Sequence, residues 1–312
     1  MQHFVRRSLL VQLLSVYLLF VVVVLLGGVG VNAVVEQKLR NDVQASDQAL
    51  AQEIALQTNI QMTDTEEALV GLGRLAQRAG TPEAMANTFQ TFQAARSDVD
   101  QVYWLDAVGI VRISCPPLPQ TCNVTSGLEG VGSEFAPPTV VQQALVSTSP
   151  VFEVGIAVET TRDSGVIIAE PVRTLAGQLI GIVAASISLK ELSNPLTKVI
   201  QAQRTSHRQL MISIIDSQGW LIATPDDRRI LYTVLDELPG AEQALHNHTT
   251  TSSLGPGPDG QDWLFSAVPV PDVHWAVVVQ RPAAEALSVV IQFQFWLLTA
   301  ALLFAIGGLL FW

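Results

Sequence analysis

The side chains that could do chemistry are few and scattered. Arg112 stands between Val111 and Ile113, where a charge needs a reason. A guanidinium there can clamp a carboxylate with two parallel hydrogen bonds, or it can point to solvent from an outer strand face. Tyr103 alternates with Trp104, and in a strand only one of the two faces a pocket. Glu153, in VFEVGIA, can hold an amine or pair with Arg112 with no ligand involved. Arg173, after AEPV, reads as a surface residue at a strand end unless it reaches a ligand. These four are the candidate ligand-binding residues.

Cys115 and Cys122, in CPPLPQTC, can close a short proline-stiffened disulfide outside the cytoplasm, or remain two reduced thiols. His246 and His248 flank Asn247 in a polar loop, and a metal would need further ligands, so no metal is expected. Trp220, Trp263 and Trp275 read as core or interface aromatics. No phosphate-cradling glycine loop, H-E-x-x-H, G-x-S-x-G or kinase signature occurs, so the expectation is a chain that is not an enzyme and takes no cofactor.

Two uncharged runs bound the chain. One fills the 28 positions between Arg7 and Glu36, and the other goes from Ala286 to Trp312. Each exceeds the ~20 apolar residues that a bilayer crossing requires. The first is about twice the length of a signal-peptide core, which favours an uncleaved anchor. Arg6 and Arg7 then hold the N-terminus inside. The reading is a two-pass protein of the cell (inner) membrane with residues 36–285 extracytoplasmic, forming one part of a longer receptor or the product of a truncated gene. The segment between the runs has 15 basic and 28 acidic residues, a net −13, which argues against nucleic acid or anionic lipid heads as partners.

These candidate residues need a scaffold to position them. From Glu36 to about Arg78 apolar residues recur at helical spacing without proline: Leu39, Val43, Leu50, Ile54, then Leu69, Leu72, Leu75 and Ala76. Some 40 external residues of helix would reach about 60 Å. Gly80 closes this helix, and Thr81-Pro82-Glu83 opens a second one ending near Arg96. Runs rich in Val and Ile then predict strands at 102–106, 110–114, 151–158, 166–173 and 179–189. After a helical connection starting at Pro195 and capped by Ser193 or Asn194, strands return at 211–216, 220–224, 263–269 and 273–280. The DD of TPDDRRI is expected to start a helix after Thr224.

WLDAVGIVRIS (104–114) and IIDSQGWLIAT (214–224) place aspartate and glycine at one spacing: Asp106 and Gly109, then Asp216 and Gly219. Aspartate can accept from the N–H groups of a tight turn while glycine takes the left-handed conformation. IIAEPV (167–172) is echoed by FSAVPV (265–270). Two matched features in one order argue for a duplicated domain.

With VYWLDAVGIVRIS, AEPVRTLAGQLIGIVAASISLKEL, MISIIDSQGWLIATPDD and WLFSAVPVPDVHWAVVVQRPAAEAL in this order, the sequence resembles the double Cache extracytoplasmic sensor domain of bacterial histidine kinases, chemoreceptors and diguanylate cyclases. The resemblance implies an α+β fold: two tandem PAS-like domains with antiparallel sheets on a long N-terminal helix, flanked by two transmembrane helices. The boundaries would be 1–35 (cytoplasmic end and first membrane helix), 36–97 (external helices), 98–192 (membrane-distal domain), 193–285 (membrane-proximal domain) and 286–312 (second membrane helix). It also implies a small-molecule ligand in the distal half and signalling through the membrane helices to an output domain. The Arg-x-Trp-Tyr run of the amino-acid-binding branch is replaced here by CPPLPQTCNVTSGLEG, so an amino-acid ligand is not implied. As a homodimer, two copies would pack along Leu39, Val43, Leu50 and Ile54. The rival reading is a membrane-anchored structural or protein-interaction module.

Overall fold

The computed structural model describes residues 2–117, 119–124, 131–135, 137–156, 164–204 and 210–286, with scattered positions from 292 to 307. Its axis is helix α1, Gln2–Arg78. Along α1 the positions Ala51, Ala55, Thr58, Met62, Thr65, Leu69, Leu72 and Ala76 are all buried. They alternate steps of four and three, which keeps one face of the helix toward a single surface. That surface is made by both sheets in turn, so one core runs along α1 from Leu50 to Ala76. Leu50 and Ile54, expected to meet a second copy, instead pack into the chain's own core. Leu56, Ile60 and Leu75 are the exposed apolar residues of this stretch.

Helix α2, Pro82–Ala95, starts as expected: the Thr81 hydroxyl accepts from Ala84 N–H at 3.2 Å. The first sheet comprises β1 (Gln101–Asp106), β2 (Val111–Cys115), β3 (Val151–Ile156), β4 (Ser164–Arg173) and β5 (Leu179–Ser188), with helix α3 (Pro138–Val146) between β2 and β3. The second comprises β6 (Met211–Ile215), β7 (Leu221–Ala223), β8 (Thr251–Pro256), β9 (Asp262–Val270) and β10 (Trp275–Pro282), with helix α5 (Ala241–Asn247) before β8. Helix α4, Leu189–Arg204, joins the two sheets, and the short α6, Ala283–Ala286, follows the last strand. The strand orders are β2-β1-β5-β4-β3 and β7-β6-β10-β9-β8. Adding five to each label of the first order gives the second, and every described pairing is antiparallel. The duplication read from two short motifs therefore extends to whole sheets.

Side chains alternate between α1 and the opposite face. On β1, Val102 and Trp104 belong to the helix-facing core, while Tyr103 and Leu105 face α3. Where α1 crosses β4 the backbones come close: a Cβ on Gly73 would sit 2.9 Å from Val172 Cγ2. Each fully buried Val or Ile contributes about 1.5–3 kcal/mol, and β5 is buried on both faces from Ile182 to Ile187.

Three expectations are corrected. Helix α4 begins at Leu189, and Pro195 lies inside it. Leu189, Leu192, Leu196 and Ile200 are all buried, so one apolar stripe crosses the proline and packing outweighs the missing backbone bond. Asp226-Asp227 opens only a single 3-10 turn, Asp227–Arg229. The edge strand β8 went unpredicted because TSSLGP has little β-branched content and alternates half-buried with exposed positions. Positions 157 and 158 of the expected third strand lie outside the described residues. Cys115 and Cys122 are bonded to each other.

Among the described residues no helix is long and apolar enough to cross a membrane. Most side chains of the first apolar run, and much of the second run, lie outside the described residues.

Candidate functional site

The two Asp-x-x-Gly turns are the same device built twice. Asp106 Oδ1 accepts from Val108 and Ile110 N–H, both at 3.0 Å. Asp216 Oδ1 accepts from Gln218 at 2.9 Å and Trp220 at 2.8 Å. Gly109 and Gly219 take φ of +89° and +82°, the left-handed region that glycine enters without strain. Their surroundings then diverge. Burial alone would raise the pKa of Asp106, but the Ile110 and Val108 N–H groups and the Arg112 guanidinium hold it below the ordinary value. Asp216 is 7% exposed, and Ile222 stands where the first copy has Arg112. There burial dominates over the backbone hydrogen bonds, and the pKa is raised. One turn has become a solvated ion pair and the other a desolvated carboxylate.

Arg112 is thus committed to its own turn. Its Nε and Nη2 reach Asp106 Oδ2 at 2.8 and 2.6 Å, and the side chain is more than half exposed. Tyr103 is fully buried, edge-on to Phe135 at 5.2 Å between ring centroids, and donates to Gln101 Oε1. Burial first, and the charge of Asp100 second, push its hydroxyl pKa upward. Arg173 Nη2 donates to the carbonyls of Leu145 and Ser147 at 2.8 and 2.9 Å. A cation placed on the last carbonyls of α3 complements the helix dipole, so Arg173 secures that helix. Glu153 accepts from the Thr139 hydroxyl, while its Oε2 is buried without a hydrogen-bond partner among the described residues. The four candidates therefore do not converge on one site: Glu153 opens onto one cavity and Arg173 lines another.

That cavity, about 420 Å³, lies between the two sheets. The first domain contributes Phe152 and Glu153 of the edge strand β3 and Thr139 of α3; the second contributes Asp216, Trp220 and Trp275. A second cavity of about 390 Å³ separates α1 from β4 beside Arg74, Glu170 and Arg173. Glu170 has a buried oxygen there without a hydrogen-bond partner among the described residues. Burial, reinforced by Glu66 and opposed by Arg74, lifts its pKa to about 7. His246 and His248 lie outside both cavities. His248 meets His274 edge-to-face, and no group of three or more metal-ligating side chains gathers among the described residues.

A buried ion pair that no local sequence signal marks joins α1 to the end of β10. Arg281 Nη2, at the end of β10, reaches Asp47 Oδ1 on α1 at 2.5 Å, with side chains 8% and 2% exposed. Twelve residues further along α1, Asn59 exchanges two hydrogen bonds of 2.9 and 3.0 Å with Asp272 of the β9–β10 turn.

A family model for the Cache domain, in its double form, matches residues 32–290. None of the curated proteins matches the sequence. Among solved structures, the periplasmic sensory domain of the Campylobacter jejuni chemoreceptor Tlp1 aligns with a TM-score of 0.63 at 14% identity, over 80% of this chain and 98% of that one. The extracellular domain of rpHK1S-Z16, named as a histidine kinase, gives 0.61 at 14% identity over 80% and 98%. The ligand-binding domain of the Pseudomonas aeruginosa amino-acid chemoreceptor PctC, solved with GABA, gives 0.55 at 18% identity over 77% and 99%. At these identities the likeness is one of fold. With most of its length matched by the family model and its two sheets repeating one topology, the chain belongs to the Cache domain family of extracytoplasmic sensor domains.

Proposed function

We propose that this chain is the sensing part of a two-pass membrane receptor that binds a small molecule outside the cytoplasm and passes the event through its two apolar ends to an output domain. The observation that carries the reading is the continuity of α1. It leaves the first apolar run as one helix, packs on both sheets, and is tied by Asp47 to Arg281, five residues before the second apolar run. A ligand that binds one arrangement of the sheets better than another shifts the population toward it by that difference in affinity, and the two ends move with it. As a homodimer, two copies of α1 meet through Leu56 and Ile60, since Leu50 and Ile54 are already covered. Small-molecule recognition in relatives such as PctC supports the ligand class, not its identity.

The test is thermal unfolding of the full chain in detergent against a broad metabolite library. A ligand at 100 times its Kd, binding only the folded state, adds about 2.7 kcal/mol. Concentration-dependent stabilisation by a metabolite supports the sensor. No response across the library, with recovery of a specific protein partner, overturns it in favour of a docking module.

A further inference from the structure

The geometry points to the cavity between the two sheets as the binding site for an organic cation, a small amine or quaternary ammonium with an apolar body. This inference deepens the sensor reading and rests on it.

Three observations converge. Two carboxylates line the space, Glu153 from the first domain and Asp216 from the second, and among the described residues no Lys, Arg or His lines it with them. Glu153 keeps a buried oxygen without a partner among the described residues, although Thr139 satisfies the other. Leaving a charged acceptor buried and unbonded is costly, and a ligand ammonium would relieve it. Phe152, Trp220 and Trp275 supply the remaining chemistry. Aromatic faces attract cations, tryptophan most strongly, and they cover an apolar body equally well. An external segment of net −13 raises the local concentration of cations and repels anions.

Because the lining comes from both domains, an occupant that bridges Glu153 and Asp216 favours one relative position of the two sheets. Those sheets share α1, so the site sits where a small ligand acts on both domains at once. The duplicated turn explains why the second copy alone serves. Its aspartate is freed from an arginine partner by Ile222, and Trp220 stands where the first copy has Ile110.

The experiment measures binding of phenethylamine to the full chain in detergent by calorimetry, beside 2-phenylethanol, which is nearly isosteric and uncharged, and 3-phenylpropionate, which is anionic. The expected result is that the amine binds at least tenfold tighter than either. Glu153→Gln and Trp220→Leu should each weaken the amine about tenfold or more, while Glu170→Gln, in the other cavity, should leave it unchanged. Asp216 is left in place because it holds its own turn. Equal binding of amine and alcohol, or amine binding insensitive to both cavity variants, overturns the proposal. If amines fail while another metabolite of the library stabilises the chain, this inference falls and the sensor reading stands; if no small molecule stabilises it, both fall.

Discussion

Asp47→Leu, Arg281→Met and the double variant form a thermodynamic cycle on the contact that ties α1 to the end of β10. With side chains 2% and 8% exposed and 2.5 Å between Oδ1 and Nη2, solvent screens the pair little. At an effective dielectric near 20 such charges attract by about 4–6 kcal/mol, and the desolvation of both groups offsets much of that. Removing one partner strands the other charge in the core, so each single variant should lose about 3–5 kcal/mol. Arg281 Nε is buried without a hydrogen-bond partner among the described residues, so the native pair is itself incompletely satisfied. The double variant, with two apolar side chains of similar volume, should accordingly recover most of the loss. The interaction energy from the cycle should be about 3 kcal/mol or more. The assay is denaturant unfolding of the full chain in detergent, followed by tryptophan fluorescence, at low and high salt. Single variants that each lose under about 1 kcal/mol and simply add would refute the reasoning, because they would show a solvated pair that holds nothing.

Two further outcomes follow from local geometry. Replacing Cys115 and Cys122 together with serine opens a loop spanning a sequence separation of 7, and loop-closure entropy predicts a loss of about 2–3 kcal/mol; a reducing agent should lower the unfolding midpoint of the native chain and leave that of the double-serine variant unmoved. Glu170 binds its proton more tightly folded, at about 7 against the ordinary 4.5, so its stabilising contribution is fully present below about pH 4.5 and is lost as pH rises through 7. The full difference is about 3 kcal/mol, reduced to about 1–2 kcal/mol because the carboxyl is partly solvated. Glu170→Gln should flatten the fall in stability between pH 4.5 and 7, and an unchanged slope in a pH series of unfolding midpoints would remove Glu170 from the account.

What the sequence could convey depended on how local each cause was. The Asp-x-x-Gly turns were legible because every bond that defines them lies within five residues: Asp106 with Val108 and Ile110, Asp216 with Gln218 and Trp220. Helix α2 was legible for the same reason, its cap being three residues from its donor. The placement of Arg112 was not, because a ligand carboxylate, open solvent and Glu153 would each suit a guanidinium, and its partner in the fold is instead the aspartate six positions back. Arg112 is the residue that the hairpin's bulge leaves unpaired, between Ile113 opposite Trp104 and Val111 opposite Leu105. The Asp47–Arg281 pair joins residues 234 positions apart, and nothing in either neighbourhood marks it. The same holds for the inter-sheet cavity. Glu153 was singled out as an amine holder, but its second carboxylate had been set aside as a turn residue and its tryptophans as core. Asp216 is indeed a turn residue, and Trp275 is indeed buried at 4% exposure. Their second role exists only because an edge strand of one sheet lies against the turn of its duplicate. Duplication thus gave the fold away through repetition while hiding the site, since a site made between two copies leaves no motif in either.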